Sequence, residues 1–205
     1  FFFGIHPSVL SPITSPISTQ FLAENIAAVQ AGHVATHFYA PGPESAFGNF
    51  TGSGVTIGCV FWCLMSKNKA LKQVGRLSFI PALFGINEPI VFGLPIVLNP
   101  TLLIPFVLVP TVNIVISYFA MAMNLVPICS GINIPWTTPI VISGFLATNW
   151  AGALLQVLLL ILGIFIYMPF IKIMDKQYLE EENNMQNDEE EEDDISLDDL
   201  SFDDL

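Results

Sequence analysis

The sequence predicts an all-α polytopic membrane protein with transmembrane helices, re-entrant hairpins and a disordered acidic C-terminal tail. Three observations lead there. Of 205 residues, 53% are hydrophobic, 17 are Phe and only 12% are charged, a balance foreign to soluble domains. Two charge-free, mostly apolar stretches, Thr101 to Leu125 and Trp150 to Ile171, are long enough for a hydrocarbon core that takes about 20 helical residues. Charge is also segregated: residues 1 to 174 balance at +2, whereas Asp175 onward carries 15 acids and one Lys, for -14. An acidic balance confined to one end describes a solvated tail and says little about the membrane body.

Taken in order, Phe1 to Ile5 reads as the end of an upstream span. His6 to Pro16 holds three prolines and four hydroxyl residues, where a helix cannot run regularly and a re-entrant or cavity-lining segment fits better. Ser18 to Ala31 reads as a helix capped by Ser18 or Thr19 and stopped by Gly32, too short and polar to cross. Gly32 to Gly54 is an irregular connection carrying His33, His37 and Glu44. Gly52 to Gly54 lacks the Lys and Ser/Thr of a phosphate loop and reads as a turn or close helix packing. Val55 to Met65 is a short span at most.

The basic stretch Ser66 to Arg76 then holds Lys67, Lys69, Lys72 and Arg76, four of the six basic residues, and Lys172 and Lys176 follow the last apolar run. Lys/Arg in short loops marks the cytoplasmic side, so an even number of crossings must separate the two clusters. The two full spans satisfy this if the Pro-interrupted stretches Leu77 to Asn99 and Pro127 to Asn149 are hairpins that return to their own side. The result is a membrane domain over 1–178 and an acidic, unstructured tail over 179–205, which cannot bury enough apolar surface to offset the entropy of ordering. Ile195, Leu197, Leu200, Phe202 and Leu205, spaced among acids, read as a docking motif for a basic partner or as plain solvating tail.

The chain is organised around Phe84 to Pro100, FGINEPIVFGLPIVLNP, where Glu88 sits among apolar residues fenced by Pro89, Gly93, Pro95 and Pro100. Broken helix survives at membrane depth only where protein or a water-filled cavity surrounds it, and an ionisable group there is a functional hypothesis by default. Broken helices near the midplane are also where transporters hold substrate. The plainer reading is a carboxylate at a loop end in the interface. Cys59, Cys63 and Cys129 read as buried, reduced thiols. His33 and His37 lie four apart, but Gly32, Pro41 and Pro43 argue against a helical metal pair, so no metal and no cofactor is expected. Glu24, Asn25 and Glu44 read as solvated or capping groups. Asn113, Asn124 and Asn133 are candidates for polar lining.

Gly85 to Pro100, the preceding KQVGRLSFIPALF, the later IPWTTPIVISGFLAT and the first GIH together resemble the membrane IIC subunit of the lactose, cellobiose and chitobiose family of the bacterial phosphoenolpyruvate-dependent sugar phosphotransferase system. The resemblance covers residues 1 to about 178. It implies the second half of such a subunit, with further spans before Phe1, in a homodimer of the bacterial plasma membrane. It also implies that Glu88, His6 and Trp136 meet a disaccharide, with Asn87 adjoining. The family usually has Trp where this chain has Phe1, and Gly where it has Pro7.

Those roles suit the chemistry. A pyranose offers hydroxyls and an apolar C–H face, so its site needs a few polar partners and an aromatic plate, which Trp136 supplies. Glu88 can accept hydrogen bonds from hydroxyls and take a proton as the sugar's 6-hydroxyl attacks a phosphoryl donor. His6 either orients the sugar and eases the charge or is a histidine bonded to backbone. None of the cysteines lies in an electropositive loop suited to a phosphothiolate. The resemblance supplies the donor as a separate cytoplasmic IIB subunit bearing a phosphocysteine, fed in turn by IIA and HPr. Lys67, Lys69, Lys72 and Arg76 are placed to meet it, although basic cytoplasmic loops are general. No nucleic-acid partner is expected. The rival reading is a proton-coupled secondary sugar transporter with Glu88 as proton carrier; a half-transporter that is a remnant without function is the third.

Overall fold

The computed structural model describes residues 5, 7–38, 40, 44–94, 96, 99–128 and 134–194. His6, Phe1, Pro41, Pro43, Pro95, Cys129, Asn133 and the Ile195 to Leu205 motif lie outside the described residues. Among the described residues all regular structure is helical, as composition predicts.

Helix α1 spans Ser11–Gln30, seven residues longer at its start than the proline count predicts, and follows a 3-10 turn over Pro7–Leu10. Pro12 lies in the first turn, where no N–H is needed. Pro16 is interior and removes one intrahelical bond. Hydroxyls bond back to carbonyls on either side of it, Thr14 to Leu10 (3.3 Å) and Ser18 to Ser15 (3.2 Å). Gly32 at φ 81 stops it.

Helix α2 covers Ile57–Met65, nine residues and about 13 Å, so it does not cross a membrane by itself. Cys59 and Cys63, one turn apart, are fully buried as free thiols. The basic stretch, read as a loop, instead opens helix α3, Lys69–Leu83. Asn68 caps it by accepting from the Leu71 N–H at 3.0 Å. Leu71, Gly75, Ser78 and Ala82 form its buried face, and their three- and four-residue spacing is what makes the stretch helical.

Helix α4, Glu88–Gly93, turns back along α3, bringing Gly93 against the Val74 side chain. This is the first hairpin that the prolines predict. Helix α5, Pro100–Ala122, is capped by Asn99 and is the first helix long and apolar enough to cross a membrane. Asn124, at φ 57, takes the left-handed position that ends it. Asn113 is fully buried on α5 and makes no hydrogen bond there. Helix α6, Ile142–Ala147, packs on helix α7, Trp150–Asp194, whose apolar part is the second helix of spanning length.

Helix α7 continues through the predicted boundary at residue 178 into the acidic segment. Polar contacts support this extension where apolar burial is scarce. The Ser66 hydroxyl meets the Asp175 carboxylate, Asn68 Nδ2 donates to Glu182 at 2.9 Å, and Lys176 pairs with Glu180 at 3.5 Å. These contacts also bring the two basic clusters to one end of the molecule, as the parity of crossings requires.

Candidate functional site

Three irregular segments converge at the tip of the α3–α4 hairpin, and glycine makes the approach possible. Gly52, at φ 82, leaves no room for a Cβ, which would lie 2.7 Å from the Gly85 carbonyl oxygen and 2.8 Å from Asn87 Cγ. Gly85, at φ 78, is similarly stacked on the Trp136 carbonyl oxygen, 2.8 Å from where its Cβ would be. Any side chain at either position would force the backbones apart. The first broken stretch, the turn near Ser53 and the PWTTP segment are therefore in direct backbone contact.

Hydrogen bonds hold this junction. Asn87, only 3% exposed, donates from Nδ2 to the Ser53 carbonyl at 2.5 Å, and the Ile140 N–H reaches the Leu83 carbonyl at 3.3 Å. Asn87 thus sets the loop that delivers the next residue. Glu88 is the first residue of α4 and half-buried, with its carboxylate at the helix end that favours negative charge. Trp136 is 65% exposed. Gly85, three residues before Glu88, and Trp136 are thus brought together at one junction; His6 lies outside the described residues.

Reading the sequence did not anticipate the support behind the junction. Val141 has φ 72, a strained conformation for a β-branched residue, costing on the order of 1–3 kcal/mol. Gln156 of α7 holds it. Its Oε1 accepts from the Val141 N–H at 2.6 Å and the Gly144 N–H at 3.1 Å, while its Nε2 donates to the Ala46 carbonyl (2.6 Å) and the Ser143 hydroxyl (2.7 Å). The single amide in the otherwise apolar run from Trp150 to Ile171 was the available signal. Asn25, His37 and Glu24 form a separate arrangement: Asn25 clamps the 36–37 backbone, and His37 Nε2 meets Glu24 Oε2 at 2.6 Å while stacking on Phe21. His37 is therefore turned toward a carboxylate of α1 and not aligned with His33 on a helix.

Residues 1–110 match the family model of the phosphotransferase system EIIC. The chain belongs to that family. It is 39% identical over 185 residues to the oligo-beta-mannoside-specific EIIC component of Bacillus subtilis (strain 168), an alignment covering 88% of this chain and 42% of that protein. It is 38% identical over 186 residues to the lactose-specific EIICB component of Staphylococcus epidermidis, with 88% and 32% covered. The crystal structure of the transporter ChbC, the IIC component from the N,N'-diacetylchitobiose-specific phosphotransferase system, superposes with a TM-score of 0.83 at 41% identity, covering 88% of this chain and 43% of that one. This EIIC chain thus spans about a third to two-fifths of the length of these relatives. The two spanning-length helices accord with an integral membrane family.

Proposed function

We propose that this EIIC chain supplies the sugar-holding part of a permease that takes up a beta-linked disaccharide of the cellobiose, chitobiose or lactose type and presents its 6-hydroxyl for phosphorylation. The observation that supports this reading is the backbone junction of Gly85, three residues before Glu88, with Trp136, whose indole is exposed. Glu88 grips hydroxyls and receives the proton of the attacking 6-hydroxyl, Trp136 stacks on the C–H face, His6 completes the polar set, and Asn87 adjoins and positions the loop. The phosphoryl group comes from a phosphocysteine on a IIB subunit that approaches the cytoplasmic face and is itself charged through IIA and HPr. That transfer depends mainly on holding the attacking oxygen in line.

The permease works as a homodimer in the bacterial plasma membrane, with the basic end of the molecule and the acidic tail in the cytoplasm. The test is Glu88→Gln in vesicles loaded with phosphorylated IIB: sugar 6-phosphate accumulates with the unsubstituted protein and falls at least 100-fold, roughly, in the variant, the scale of a general base. Normal accumulation by the variant overturns the role of Glu88. Uptake of unmodified sugar driven by a pH gradient would favour proton coupling instead.

A further inference from the structure

We infer that α3 carries a binding site for an anionic phospholipid, with the headgroup phosphate held by Lys69, Lys72 and Arg76 and the acyl chains lying along Phe79 and Ile80. The inference starts from one face of one helix. Lys69, Lys72, Gln73 and Arg76 recur at helical spacing and line an open concavity of about 500 Å³. Continuing along that face, Phe79 and Ile80 are 40% and 62% exposed. The change from cation to apolar side chain occurs within four residues of Arg76, about 6 Å along the axis, comparable to the depth from headgroup to hydrocarbon.

The cations are arranged to need an anion. Lys69 and Lys72 occupy the first turn of α3, where the helix end is already positive. Among the described residues the ion pairs are His37 with Glu24 and Lys176 with Glu180, and none includes Lys67, Lys69, Lys72 or Arg76. Glu181 and Glu182 line the neighbouring concavity beside Lys69, and Asn68 occupies Glu182. An acidic protein surface would pair with the lysines and arginine alone. A lipid matches both the cations and the apolar side chains, since its phosphate and chains follow one another in the same order.

The experiment uses the full chain in neutral detergent, with native mass spectrometry counting bound phosphatidylglycerol against phosphatidylcholine of the same acyl chains. The unsubstituted protein retains phosphatidylglycerol preferentially. Lys69→Gln/Lys72→Gln/Arg76→Gln weakens that binding about a hundredfold, near fivefold per cation, and leaves phosphatidylcholine unchanged. Lys69→Arg/Lys72→Arg keeps the preference. If the triple variant does not fold, the single Lys72→Gln variant, at an exposed position, shows the fivefold loss. An unchanged preference in the glutamine variants overturns the site. Phosphatidylglycerol binding that does not depend on its acyl chains, matched by inorganic phosphate at equal concentration, overturns the lipid assignment, and so does intact lipid preference with loss of cross-linking to phosphorylated IIB in the glutamine variants, which would make this face a protein dock. None of these readouts depends on sugar uptake.

Discussion

Two buried carboxamides, Asn25 on α1 and Gln156 on α7, do similar chemistry at different range. Asn25 is 1% exposed, accepts from the Thr36 and His37 N–H groups and donates to the His37 carbonyl, partners 11 and 12 residues away. Gln156 is fully buried and makes four bonds, one of them to Ala46, 110 residues away. The first amide fastens a loop to its own helix. The second joins a membrane span to the segment at Ala46 and to the strained Val141 that follows the PWTTP segment. Inside lipid an unpaired backbone group has no water to turn to, so a single amide that serves several chain segments fixes tertiary structure as a core side chain does in water.

The surrounding helices differ in the same way. Helix α1 buries only Ser18 and Asn25. Helix α7 is pinned along its length: Tyr167 Oη donates to the Gly54 carbonyl at 2.7 Å, and Trp62 Nε1 donates to the Ile164 carbonyl at 2.7 Å. Loss of a contact at α7 should therefore be felt globally, and loss at α1 locally.

Gln156→Leu is expected to have the largest effect. It strands the Val141 and Gly144 N–H groups, each costing about 1–3 kcal/mol, and removes the hold on Val141. A thermal-shift measurement in detergent should show a marked fall in midpoint; an unchanged midpoint would break the assignment of Gln156 as the tertiary anchor. Asn25→Ala removes three bonds, yet the contrast predicts a small change in midpoint and faster proteolytic cleavage between residues 33 and 38. Equal global destabilisation by both substitutions would erase the distinction. Tyr167→Phe loses one buried bond, near 1 kcal/mol, and should lower the midpoint modestly without exposing the 33–38 loop. Glu24→Gln weakens a half-exposed pair with His37 and should change stability by less than about 1 kcal/mol, with salt titration of the unsubstituted protein giving the same small change.

The elements readable beforehand were those whose cause is local. Prolines broke the helices around Glu88 and near Trp136 where expected, and long apolar runs became α5 and α7. At Pro16 the same proline rule failed: the helix runs through it from Ser11 to Gln30 with the loss of one intrahelical bond. The basic stretch was misread as a loop although Asn68 was a visible cap; charge drew more weight than the apolar spacing of Leu71, Gly75, Ser78 and Ala82. The acidic residues after 178 looked unable to order themselves; helix α7 runs on to Asp194, and Asn68, 114 residues before Glu182 in sequence, meets it there.

By itself, then, the order of amino acids determined the helical class, the two spanning stretches, the break that presents Glu88 and the family to which the chain belongs, since each follows from hydropathy, proline placement or a short motif. Only the tertiary structure decided that Gly52, Gly85 and Trp136 share one junction, that Gln156 supports Val141, and that cations and apolar side chains follow one another on the outer face of α3. Those relations join residues distant in sequence or depend on which helix face is left uncovered, and no local propensity specifies either.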